Sequence, residues 1–99
     1  MEQEKRVEIL NRALEHFGAN AQIEKAIEEY AELIVALKHY MAGKATRREV
    51  ITEIADVEIM NKQVQIIFGT DAVRDEIDYK LERLRGWLES GLMPLESKQ

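Results

Sequence analysis

Two acidic pairs in this chain have the spacing to do chemistry together. Glu29 and Glu32 are three residues apart, and Glu53 and Asp56 repeat that spacing. On a helix, residues three apart project from one face. The face holding Glu29 and Glu32 also carries Ala26, Leu33 and Ala36, with Tyr40 a turn further on. The face holding Glu53 and Asp56 carries Val50, Val57, Met60 and Val64. A carboxylate set within an apolar surface needs a cation, a donor or a raised pKa, because burying an unpaired charge is costly. Glu2, Glu4, Glu8, Glu15, Glu76 and Glu82 differ: they fall on polar faces and read as solvated surface.

The two pairs are also placed to meet. Their midpoint falls beside Gly43, in a stretch that reads as a turn. In an antiparallel helical hairpin, residues equidistant from the turn lie at one level, here about 18 Å from it at a rise of about 1.5 Å per residue. Four converging carboxylates repel one another without a counter-charge. An oxygen-only donor set suits a hard divalent cation: Mg²⁺, Mn²⁺ or Ca²⁺. The competing reading pairs each acid with a nearby base. Lys25 precedes Glu29 by four residues, and Lys62 and Lys80 are other candidates. A di-iron site would want Glu-x-x-His elements. Neither His16 nor His39 follows a Glu by three.

Four helices must position these groups. Apolar period and punctuation predict them at residues 2–17, 21–42, 47–68 and 71–89. Val7, Leu10, Leu14 and Phe17 stripe the first, and Gly18 stands where a left-handed cap would end it. Asn20 is the expected N-cap of the second, which stops at Gly43. Thr46-Arg47-Arg48-Glu49 is a capping box that opens the third, and Gly69 closes it. Val73, Ile77, Leu81, Leu84 and Leu88 line the fourth, and Ser90-Gly91 ends it before a tail containing Pro94. No segment alternates as a strand does. The fold expected is all-α: a single domain over 1–99, an antiparallel bundle of about four helices.

With 99 residues the chain has room for one domain, and one small enough to be marginal alone. Completion by oligomerisation, as a homodimer or homotetramer, is therefore expected. The composition is 45% hydrophobic and 33% charged, that of a helix-rich globular protein. The absence of cysteine excludes disulfides, thiolate zinc sites and cysteine nucleophiles. The charged N-terminus does not look like a leader, and no apolar run approaches the roughly 18–20 residues of a membrane span. A cytoplasmic protein with no membrane partner is the expectation. A formal net charge of −5 disfavours nonspecific nucleic-acid binding.

These residues resemble a known family. Glu29-x-x-Glu32, 20 intervening residues and Glu53-x-x-Asp56 are similar to the signature of the MazG-type nucleotide pyrophosphohydrolases, within the all-α NTP pyrophosphatase superfamily. Lys25-Ala26-Ile27-Glu28-Glu29-Tyr30-Ala31-Glu32-Leu33 looks like the family's first metal helix, and Glu53-Ile54-Ala55-Asp56-Val57 like its second. The likeness covers roughly Ile23 to Leu88. It implies Mg²⁺-dependent hydrolysis of a nucleoside triphosphate between the α and β phosphates, with Mn²⁺ a possible substitute and dimers or dimers of dimers as the assembly. It implies metal ligation by Glu29, Glu32, Glu53 and Asp56. It makes Glu28 and Glu29 the expected catalytic carboxylates without assigning the general base: Glu28, which matches the doubled Glu of the motif, could orient the attacking water or reach a metal through water. Lys80-Leu81-Glu82-Arg83-Leu84-Arg85 resembles the family's basic stretch, making Lys80 and Arg83 the expected phosphate clamp.

Other residues read more plainly. Trp87 could stack on a base, but core or interface packing is the first expectation. Asn61 and Gln63 could orient a ligand or read a base, with a helix-surface role expected first. His39 reads as a surface residue near a cap. Two other readings stand beside the hydrolase. One is a phosphoribosyl-ATP pyrophosphohydrolase, although Val57-Glu58-Ile59-Met60 lacks the His expected there. The other is a non-catalytic helical interaction module with a vestigial metal site.

Overall fold

A computed structural model describes residues 1–91. It contains four helices: α1 (Gln3–Phe17), α2 (Ala19–Met41), α3 (Arg47–Phe68) and α4 (Thr70–Ser90). There is no strand among the described residues, so the protein is all-α as its pattern predicts. The tail with Pro94 lies outside them. No helix among them is long and apolar enough to cross a membrane.

The helix ends follow local chemistry. The capping box forms: the Thr46 N–H donates to Glu49 Oε2 at 2.7 Å, and the Glu49 N–H donates to Thr46 Oγ1 at 3.1 Å. Gly91 adopts the left-handed cap conformation after α4. The start of α2 differs from the expectation. Asn20 lies inside the helix, and Gly18 alone separates α1 from α2. Its φ of 89° and ψ of 157° are open only to glycine. The Gly18 N–H donates to the Leu14 carbonyl, and the Gly18 carbonyl accepts the first bond of α2 from Gln22. One residue thus closes one helix and opens the next, which leaves no place for a separate side-chain cap.

The chain divides into two compact units, Met1–Ile67 and a second beginning at Phe68. In the first, α2 and α3 run antiparallel. Gln22 pairs with Gln63 far from the turn, and Tyr30 bonds Asn61 nearer to it. One buried apolar residue comes from each helix: Leu10, Ala26 and Met60. Ala26 is only 1% exposed, and its small side chain permits close approach at that level. The other buried side chains are polar: Gln22, Glu29 and Gln63. Ile27, Ile34, Leu37, Met41, Ile51 and Ile54 remain exposed. In the second unit, α4 buries none of its residues, its Ile77, Leu81, Leu84 and Leu88 stripe included.

Candidate metal centre

Helix period and the hairpin together assemble the site. Glu29 lies on the buried face of α2, one turn after Ala26. Glu53 and Asp56 lie half-buried on α3. One carboxylate oxygen from each of Glu29, Glu53 and Asp56 falls within 4.8 Å of the others. Three of the four expected ligands are therefore brought together from opposite sides of the hairpin.

The state of their oxygens tells what they lack. Glu29 is 7% exposed, and its Oε1 lies 3.1 Å from Lys25 Nζ. Glu29 Oε2 is buried with no hydrogen-bond partner, and so is Glu53 Oε2. A buried carboxylate oxygen without a donor is costly and calls for a cation. The pairing of Lys25 with Glu29 holds as one reading of the sequence supposed, but it serves one oxygen only.

Glu32 is exposed and stands beside this group rather than within it. Its carboxyl is held above the usual glutamate range. The largest cause is a shared hydrogen bond with Glu29, followed by the negative charge of Glu29, burial, and the charges of Glu53 and Glu28. Lys25 is raised above the usual lysine range, first by its hydrogen bond to Glu29 and then by the charge of Glu28. Both shifts report a local excess of negative charge.

Glu28 is exposed and faces Lys25 at 3.8 Å, outside the three-residue cluster. Lys80 and Arg83 stand on α4, in the second unit. Lys80 pairs with Glu76 at 4.0 Å. The Arg83 guanidinium lies 4.9 Å from the Trp87 ring centroid and 5.8 Å from that of Tyr79.

Asn61 and Gln63 are not the surface residues first expected. The Tyr30 hydroxyl donates to Asn61 Oδ1 at 2.7 Å, and Gln22 Nε2 donates to Gln63 Oε1 at 2.5 Å with both glutamines buried. Two polar bonds thus join the helices on the side of the cluster away from the turn. On the turn side a cleft of about 480 Å³ opens, lined by Glu32 and Glu53 and also by His39, Lys44 and Glu49. Lys44 had no motif to mark it. Only its place directly after Gly43 put it near the hairpin's end.

No protein-family model, no curated protein and no solved structure matches this chain. What the carboxylates can do therefore follows from their own geometry. The donor set is all oxygen, drawn from two helices, and two of its atoms are buried without partners. Such a set fits a hard divalent cation better than a soft one.

Proposed function

We propose that this protein is a Mg²⁺-dependent nucleoside triphosphate pyrophosphohydrolase of the MazG type, cleaving the α–β phosphoanhydride to a nucleoside monophosphate and pyrophosphate. The observation that carries the reading is the convergence of Glu29, Glu53 and Asp56 oxygens within 4.8 Å. Two buried oxygens without donors support it. Glu32 is the fourth ligand in this reading, one helical turn from Glu29 and among the residues lining the cleft.

A bound divalent ion supplies charge neutralisation at phosphate oxygens and a lowered pKa for coordinated water. The chain's residues supply the rest. Glu29, Glu53 and Asp56 hold the centre on two helices whose spacing the Gln22–Gln63 and Tyr30–Asn61 bonds maintain. Glu28 or Glu29 takes the proton from the attacking water. Lys80 and Arg83 are the phosphate contacts that the family likeness carries over. The apolar residues left exposed on α2, α3 and α4 support assembly as a homodimer or homotetramer.

The test is pyrophosphate release from a panel of canonical and modified nucleoside triphosphates, with and without Mg²⁺, beside a Glu53→Gln control. Metal-dependent release that the substitution abolishes supports the reading. Release only from phosphoribosyl-ATP moves the protein to that activity. Silence on every substrate leaves a non-catalytic helical module as the better account.

A further inference from the structure

The turn between α2 and α3 does more than reverse the chain. Gly43 has a φ of 75°, which glycine adopts without steric cost. The Gly43 N–H donates to the Tyr40 carbonyl at 3.0 Å, and the Lys44 N–H donates to the His39 carbonyl at 2.7 Å. This is the Schellman pattern of helix termination. It folds Lys44 back onto the last turn of α2, beside His39.

Both side chains then line the cleft that reaches Glu32 and Glu53. Its wall also contains Ala31 and Ala36, whose small side chains leave room above them. The cleft has two chemical ends. One holds the carboxylates at the edge of the metal centre. The other, at the turn, holds the Lys44 ammonium, the His39 imidazole and the Glu49 carboxylate. Along α2, Glu32 and His39 are seven residues apart, or about 10 Å by helical rise. Lys44 makes no ion pair or side-chain hydrogen bond among the described residues. Lys25 and Lys80, by contrast, are each held by a carboxylate. Glu49, the remaining acid of the cleft, has Oε2 committed to the Thr46 N–H.

We infer that Lys44 and His39 form an anion subsite that receives the terminal phosphates of the substrate, the part that leaves as pyrophosphate. The inference rests on the metal-dependent reading above and adds residues that the acidic motif does not contain. The cleft alone carries three carboxylates against one lysine, which repels a polyanion. Cation binding at the carboxylate end reduces that repulsion and lets the Lys44 charge act on an incoming polyanion. A lysine suits this place, being a compact charge on a flexible stem. Pyrophosphate binding is then dependent on both Mg²⁺ and Lys44.

The experiment is calorimetric titration of inorganic pyrophosphate into the full chain in Mg²⁺, for wild type, Lys44→Ala, Lys44→Arg and Lys44→Ala/His39→Gln. A separate Mg²⁺ titration without pyrophosphate reads the metal site. Lys44→Ala is expected to weaken pyrophosphate binding about tenfold, a change of about 1.4 kcal/mol. Lys44→Arg retains most of it, the double variant weakens it further, and Mg²⁺ affinity is unchanged in all. Equal pyrophosphate affinity in wild type and Lys44→Ala overturns the subsite, as does a wild type that takes Mg²⁺ but no pyrophosphate. Failure of the hydrolase reading looks different: no triphosphate is cleaved, yet pyrophosphate binding still depends on Lys44. If neither Mg²⁺ nor pyrophosphate binds, both are overturned.

Discussion

The Lys25 ammonium lies 3.1 Å from one oxygen of Glu29, while the other oxygen of that carboxylate is buried without a partner. Lys25 is half-exposed and Glu29 is not, so the pair is a surface cation reaching toward a buried anion. Such a bond satisfies one oxygen of Glu29 without completing the site.

Removing that cation is therefore felt in the metal-free protein. Lys25→Met is expected to lower its stability only slightly, because a half-exposed ion pair is screened by solvent. Saturating Mg²⁺ is expected to recover most of the loss, because the ion neutralises the same carboxylate. Thermal unfolding of both proteins with and without Mg²⁺ checks this, and an identical loss in both conditions counts against the site.

Glu32 is expected to make the stability of the metal-free protein depend on pH. Its folded-state pKa is raised, chiefly by the hydrogen bond that its protonated form shares with Glu29. A raised value means stability that is present below the unfolded-state pKa and lost as pH rises through the folded-state one. Glu32→Gln, neutral at every pH, is expected to stabilise the metal-free protein at neutral pH, with the advantage fading in mild acid. Urea unfolding at the two pH values measures it. A gain of the same size at both would show that charge is not the cause.

Metal binding is expected to appear as stabilisation. At a Mg²⁺ concentration about a hundredfold above its dissociation constant, the gain is about 2.7 kcal/mol for a site present only in the folded chain. Glu53→Gln and Asp56→Asn are expected to lose most of this gain while keeping the helical circular dichroism of the wild type. Full retention of the Mg²⁺ response in both variants would remove these residues from the site.

The bond between Gln22 and Gln63 crosses the core of the first unit. Gln22→Leu leaves Gln63 buried and unsatisfied and is expected to cost about 1–3 kcal/mol. Gln22→Leu/Gln63→Leu removes both polar groups and is expected to recover a large part of that cost. A double-mutant cycle by denaturant unfolding reads the coupling directly. Additive losses would mean that the two side chains do not depend on each other.

Much of the fold was legible in local pattern. The capping box at Thr46 and Glu49, the glycine stops at Gly43, Gly69 and Gly91, and the apolar periods mark three helices nearly to the residue. Such features depend only on neighbours a few positions away. The α1–α2 junction was less legible, because Asn20 offers a good cap that the chain does not use. Gly18 reverses the chain earlier, and its conformation is open only to glycine. Asn61 and Gln63 gave no sign of their roles. A polar residue on a helix looks the same in sequence whether it meets water or another helix.

The sequence by itself determined that two acidic pairs would lie on helix faces and that a hairpin about Gly43 would bring their levels together. Helical period and equal distance from a turn are enough for that. The tertiary structure decided which oxygens meet. Glu29, Glu53 and Asp56 converge because their side chains meet between α2 and α3, whereas Glu32 lines the neighbouring cleft and Glu28 faces Lys25. It also decided that Lys44 shares a cleft with Glu32 and Glu53. That depends on how the chain folds back after Gly43, and residue spacing carries no measure of it.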